Sequence, residues 1–407
     1  MPKSIAVIGG GAAGFFAALS AKSANPNCKV FILERSAKVL SKVKISGGGR
    51  CNVTNATFDI EALSKHYPRG ERFLRKAFAQ FNALSTVKWF ETRGVRMKTY
   101  PDNCIFPQSN TSQSIIDCFL LEAHAKDIEV VYQFHVQAIE QSNNVFSITS
   151  ITNEIRIADA VIVTVGGQPK RAGISWVETL GHTIVEPVPS LFTFNMPSEP
   201  IKELMGNVVE KTTVKIEGTK LVGRGPLLVT HWGMSGPAIL QLSAWGARIL
   251  ADSNYIFHVL VNWLNDTTEE SLRGLIAFTM TQHGAKKMSN FNPFPVTNRL
   301  WEFLLQRSEI NPENRWNELG KKSINKLVNT LLNDRYSVSG KTTFKEEFVT
   351  AGGVSLSEIE VKTMESKIVR GLYFAGEVMD IDGITGGFNF QSAWTTGFIA
   401  GKNAALI

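Results

Sequence analysis

Ile5-Ala-Val-Ile-Gly-Gly-Gly-Ala-Ala-Gly14 is the stretch on which the fold turns. Its apolar start predicts a short strand over Ser4–Ile8, and three consecutive glycines, Gly9–Gly11, predict a tight turn. A helix is expected to begin near Ala12. Gly9, Gly11 and Gly14 stand at G-x-G-x-x-G spacing. In that pattern the first glycine permits the turn and the second lets backbone approach a pyrophosphate. The third lets the helix pack closely on the strand. The helix N-terminus then presents free N–H groups and a positive dipole end to the phosphates.

The residues downstream fit a βαβ unit. Lys29–Leu33 reads as a second strand, and Glu34 follows it about 20 positions after Gly14. A carboxylate there accepts hydrogen bonds from a ribose diol and disfavours a 2′-phosphate. A competing reading exists for the N-terminus. Lys3 precedes an uncharged run, Ser4–Ala21, that resembles a signal peptide. The glycine triplet and the second strand favour strand, turn and helix instead.

Two further glycine clusters point to FAD rather than a nicotinamide as the resident dinucleotide. Ala160-Val-Ile-Val-Thr-Val-Gly-Gly167 is an apolar strand carrying Thr164 and ending in Gly166 and Gly167. Gly371-Leu-Tyr-Phe-Ala-Gly-Glu377 ends in Gly376 and Glu377. The order resembles the FAD-binding fold of the glutathione reductase type. That resemblance implies that Glu377 bonds ribitol hydroxyls. Near the C-terminus, Gly386 and Gly387 precede a helical stretch, Ser392–Leu406. A helix start aimed at the flavin pyrimidine would stabilise charge on the reduced ring.

Ser46-Gly-Gly-Gly-Arg-Cys-Asn-Val-Thr-Asn55 is the most distinctive segment. Gly47, Gly48 and Gly49 allow backbone to press against a flat ring, with Arg50, Cys51 and Asn52 beside it. A thiol such as Cys51 is more often a small buried residue. The chain resembles the bacterial flavoproteins that include aminoacetone oxidase-like enzymes and 3-dehydro-bile-acid reductases. The segments that carry this are Gly9–Gly14, Ser46–Asn52, Phe106–Ser109, Thr230–Pro237, Val349–Val354 and Thr363–Lys367 through Gly387–Gln391. They run in order along almost the whole chain. The segment Arg93–Asn103 departs from the family pattern. The resemblance implies an α/β, Rossmann-like FAD-binding domain with an inserted β-barrel-like domain that carries a helical subdomain. Cofactor-binding candidates are then Gly9, Gly11, Ala12, Ala13, Gly14, Glu34, Arg35, Gly47, Gly48, Gly49, Arg50, Cys51, Asn52 and Val136. Thr164, Gly166, Gly167, Gly376, Glu377, Gly386, Gly387, Phe388 and Asn389 complete the set.

With fingerprints near both ends, the FAD domain is expected to be discontinuous, at residues 1–190 and 350–407. Alternating runs such as Thr212–Glu217 read as strands, giving a barrel-like substrate domain at 191–266 and 335–349. Residues 267–334 read as a helical subdomain. Pro237–Leu250 reads as a helix and Tyr255–Leu264 as a strand.

The 407 residues are 43% hydrophobic and 19% charged, which excludes a disordered or collagen-like chain. The formal charge is +7, with 43 basic residues scattered among 36 acidic ones. No compact basic stripe with interleaved aromatics is evident in the sequence, which argues against nucleic acid. Four cysteines without a Cys-x-x-Cys pair exclude a disulfide scaffold, a thiolate zinc cluster and a simple dithiol mechanism. No metal motif is present, and beyond the N-terminus no apolar run reaches membrane-span length. A reducing cytoplasm is the expected setting.

For chemistry, Arg50, Asn52 and His231 are the candidates to contact substrate or move a proton. His231 reads equally well as a loop residue bonded to nearby backbone. Glu347 is a further candidate, although Glu346 and Glu347 read equally as exposed strand charges. The expected function is an FAD-dependent oxidoreductase moving a hydride between flavin N5 and a small organic substrate. Reduction of an enone and oxidation of an amine are both open. The second βαβ set of a disulfide reductase is missing, so any NADH or NADPH would bind transiently in the substrate cleft. The alternative is a flavin-containing redox sensor or RNA-associated protein without turnover.

Overall fold

The computed structural model describes residues 2–342 and 349–406. The chain divides into two compact units, 1–189 with 345–407, and 190–344. Glu346 and Glu347 lie outside the described residues.

The first unit is built on a five-stranded parallel sheet. Its order is Leu372–Phe374, Ala160–Val163, Ser4–Ile8, Lys29–Leu33, Glu129–Val131. The strands are near-continuous apolar runs because both faces of a parallel sheet are covered. All four residues of Ala160–Val163 are buried. The helix Ala12–Ala24 packs along the C-terminal helix Phe388–Ala404. Two glycines one turn apart make this possible. A Cβ on Gly397 would lie 2.7 Å from the Ala13 carbonyl oxygen, and one on Gly401 would overlap the Ala17 carbonyl. Beside this pair, Phe16, Trp89, Phe119 and Trp394 form an aromatic cluster with the Phe16 and Trp394 rings 5.5 Å apart. A small antiparallel sheet, Val136–Ser142, Val145–Ser150 and Ile155–Ala158, completes the unit's larger strands.

The second unit holds a seven-stranded antiparallel sheet. Its two outermost strands, Asp334–Ser339 and Lys341–Thr342, are consecutive in sequence and separated only by Gly340. A sheet whose two edges meet through one residue must curl round on itself, which gives the barrel-like form. Gly340 turns the chain there with φ +103°. The helices Glu269–His283, Asn298–Arg307 and Lys321–Asn333 share one apolar core with this sheet. Val214, Val261 and Tyr336 from strands join Leu272, Trp301 and Leu331 from helices in it. Residues 267–334 fall in the same compact unit as this sheet. The stretch Pro237–Leu250 is two helices, Pro237–Trp245 and Ala247–Asp252, broken at Gly246.

Among the described residues no helix is long and apolar enough to cross a membrane. No group of His, Cys, Asp and Glu among them is placed to hold a metal.

Candidate functional site

The three glycine clusters of the first unit meet at the start of the fingerprint helix. Thr164 joins the middle cluster to the first, its Oγ1 donating toward the carbonyls of Ile8 and Gly9, each at 2.9 Å. Gly14 tolerates no side chain, because a Cβ would overlap the Gly9 carbonyl. Gly376 brings in the third cluster. A Cβ there would lie 2.8 Å from the Ala13 Cβ, and its N–H donates to Thr396 Oγ1 at 2.9 Å. Gly11 is the residue that opens the helix, and no side chain caps it. A Cβ at Gly11 would meet nothing within 4 Å, so open space lies beside the free N–H groups of the first turn.

Glu34 sits at the edge of this opening. Its Oε2 accepts the Gly10 N–H and its Oε1 the Ser36 N–H, both at 2.8 Å. A cavity continues past it, lined by Glu34, Arg35, Val136, Gln168, Gly173 and Trp176 among others. Glu377 is also held on both oxygens. Oε1 accepts the Thr350 N–H at 2.8 Å and Oε2 pairs with Lys42 at 3.1 Å. A carboxylate has four lone-pair directions, so each acid can accept further hydroxyl donors.

The distinctive glycine loop ends the helical stretch Ser41–Gly49. Gly47, Gly48 and Gly49 all have positive φ, between +57° and +82°. Only Gly47 is crowded, since a Cβ there would lie 2.9 Å from the Phe106 ring, whereas Gly48 and Gly49 face open space. Cys51 is fully buried and burial pushes its thiol up to about 12. It packs rather than reacts. Cys28, Cys104 and Cys118 are buried as well.

Asn52 links this loop to the C-terminal turn. With its amide oriented for pairing, the nitrogen donates to the Thr54 carbonyl at 3.0 Å and the oxygen accepts the Gly387 N–H at 3.2 Å. Gly387 leaves no room for a side chain, because a Cβ would lie 2.6 Å from the Thr54 carbonyl. Asn55 donates to the Gly386 carbonyl at 3.1 Å. Phe388 is buried, and Asn389 closes the turn by accepting from Gly383 N–H at 2.8 Å and donating to the Gly383 carbonyl at 2.9 Å.

In the first unit, Thr164 and Gly376 meet the fingerprint turn and Asn52 joins the glycine loop to the Gly386–Gly387 turn, while Arg35 and Val136 line the cavity past Glu34. His231 belongs to the other unit, where its ring is exposed and lies 3.9 Å from that of Trp232. Several site residues carried no sequence signal of their own. Gln391 accepts from Thr54 Oγ1 at 2.6 Å and Thr86 Oγ1 at 2.9 Å, tying the glycine loop to the C-terminal helix. His66 stacks on Phe388 with ring centres 4.2 Å apart, and burial holds its pKa below the usual value. Arg69 pairs with the buried Asp382 through two hydrogen bonds. Thr350 lies beside Gly167, and its buried hydroxyl has no hydrogen-bond partner among the described residues. That orphaned hydroxyl, the uncapped helix start and the open glycine loop fit FAD.

The pattern of the HI0933-like protein Rossmann domain matches residues 3–403. The chain belongs to the HI0933-like family. A relative in Clostridium scindens, a 3-dehydro-bile acid delta(4,6)-reductase, is 27% identical, with 98% of each chain covered. A ribosomal RNA dihydrouridine synthase of Escherichia coli is 28% identical, over 98% of this chain and 96% of that one. Among solved structures, the 3-ketosteroid delta1-dehydrogenase of Sterolibacterium denitrificans superposes with a TM-score of 0.53 at 11% identity. It covers 99% of this chain and 100% of that one, and shows the likeness of fold. This HI0933-like chain is an FAD-dependent oxidoreductase.

Proposed function

We propose that the chain reduces a carbon–carbon double bond conjugated to a carbonyl group in an organic substrate. The observation that carries the reading is the open glycine loop laid against Gly387, with every cysteine around it buried. A flat ring has access there, and no exposed thiol relays electrons, so reduction passes directly to the substrate. The names of the two relatives support the same chemistry. A 3-oxo-Δ4,6 bile acid carries double bonds in conjugation with its ketone. Dihydrouridine is uridine whose ring double bond, also conjugated to a carbonyl, has been reduced.

When bound, FAD supplies the hydride, and NADH or NADPH is the proposed transient donor that replenishes it. The protein's part is to bind and orient. Gly9–Gly14 hold the pyrophosphate, with Ala12 and Ala13 giving N–H groups. Glu34 takes the adenosine ribose, while Arg35 and Val136 line the adenine cavity. Thr164, Gly166, Gly167, Gly376 and Glu377 run along the ribitol chain. Gly47–Gly49, Cys51 and Asn52, together with Gly386–Asn389, would hold the flavin ring. Arg50 and Asn52 are the proposed contacts for the reacting end of the substrate.

Anaerobic spectroscopy tests this. Flavin reduced by NADH or NADPH should be reoxidised by conjugated enones and left unchanged by isolated alkenes. Bleaching of the oxidised flavin by amines, with no reoxidation by any enone, would replace the reductase reading with an amine oxidase.

A further inference from the structure

We infer that Arg50 and Lys98, carried on the rings of Tyr100 and Phe106, form an oxoanion site beside the glycine loop. The substrate would then bear a carboxylate or phosphate in addition to its conjugated double bond. The inference rests on the reductase reading for the double bond, and on the following geometry for the anion.

Met97–Thr99 and Cys104–Pro107 are paired antiparallel strands, with Lys98 opposite Phe106. Residues directly opposite in such a pair point to the same face, and alternation adds Arg96 and Tyr100 to it. The Arg50 guanidinium lies 4.4 Å from the Phe106 ring centre and 5.9 Å from that of Tyr100. Its Nε donates to the Gly47 carbonyl at 3.2 Å. The Lys98 ammonium lies 5.1 Å from the Tyr100 ring centre. The segment that departs from the family pattern, Arg93–Asn103, therefore supplies half of a basic and aromatic platform.

The Arg50 fork is held in place by a carbonyl and two aromatic rings rather than by an acid. Arg69, Arg93 and Arg307 each face a carboxylate. Arg50, Arg96 and Lys98 have no ion-pair partner among the described residues. Half-buried and pinned at Nε, the Arg50 fork is fixed in direction while both terminal nitrogens keep their donors. A planar fork held this way matches the two oxygens of a carboxylate or phosphate. A neutral carbonyl would need one donor and no charge. Lys98 is exposed, so such a group can reach the platform from solvent.

The test uses FAD-loaded protein. Inorganic phosphate is titrated by calorimetry, and turnover is measured with trans-4-oxo-2-pentenoate and with its methyl ester. The ester is intrinsically the better hydride acceptor, because an ester withdraws electrons more strongly than a carboxylate anion. Phosphate should bind, and Arg50→Gln and Lys98→Gln should each weaken it at least tenfold. The wild type should prefer the acid at least tenfold in kcat/KM, and both variants should lose that preference. Lys98 is exposed, so Lys98→Gln keeps the test decisive where Arg50→Gln loses flavin. Absence of phosphate binding, or binding unchanged in Lys98→Gln, overturns the oxoanion site. Failure of both alkenes to reoxidise the flavin overturns the reductase reading instead, and the phosphate titration still decides the site.

Discussion

Glu34 shows how a single carboxylate is aimed before any ligand arrives. Two backbone N–H groups hold its oxygens, so it cannot swing into solvent. Hydrogen bonds to a charged group contribute about 1.5–3 kcal/mol each. Glu34→Arg removes them and reverses the charge beside the ribose position. The apoprotein should rebind FAD roughly tenfold to a hundredfold more weakly by fluorescence titration, and unchanged affinity would show that another group holds the ribose. Glu34 and the fingerprint glycines were legible in the sequence because their roles are local. Gly14 answers to the Gly9 carbonyl and Gly11 to open space, whereas the Thr164 carbonyl that also closes in Gly9 comes from a distant segment. Arg50 was legible as a candidate but its setting was not. Phe106 and Tyr100 reach it only through strand pairing, and Gln391 meets Thr54 and Thr86 across distant segments.

Among the elements, the fingerprint helix and the C-terminal helix depend most closely on each other. Gly397 and Gly401 let them approach until Cβ-sized additions collide with carbonyl oxygens. Gly401→Val should destabilise by about 1–3 kcal/mol through overpacking, with a lower Tm in thermal unfolding and reduced flavin content. An unchanged Tm would mean that the helices separate without cost. The C-terminal helix was expected from Ser392, and it begins earlier, at Phe388. Its first turn follows directly on the Gly386–Gly387 turn, where glycine and asparagine hide helical propensity. The long helical stretch at 267–334 was legible as helix, but not the core it shares with strands. Periodicity reports which face of a helix is apolar and not what covers it.

At the scale of the whole first unit, His182 ties distant parts of the chain together. Its side chain is buried, with Nδ1 3.1 Å from Glu358 Oε2 and Nε2 2.9 Å from Ser366 Oγ. Ser366 Oγ already accepts N–H bonds from Ile368 and Val369, so its own proton goes to Nε2, which requires a neutral ring. Burial lowers the His182 pKa, opposed by Glu358. The unfolded chain therefore takes up this proton first, at about pH 6.5. The stabilisation is complete above that value and is lost as pH falls below it. Urea unfolding should give a midpoint that drops between pH 7 and pH 5, and His182→Gln should flatten that slope. An equal slope in both proteins would assign the loss to other groups.

The insertion of the second unit also has a consequence in time. The strand Ser4–Ile8 and the helix Ala12–Ala24 are translated long before the edge strand Leu372–Phe374 and the helix Phe388–Ala404. At a few to some tens of residues per second, the early segment waits many seconds for its partners. The inserted unit is finished in that interval, with its own core. A chain interrupted before Gly386 lacks both the packing surface of the fingerprint helix and the Gly387 turn. Flavin retention, seen as yellow colour, would thereby mark chains whose translation has passed the helix Phe388–Ala404.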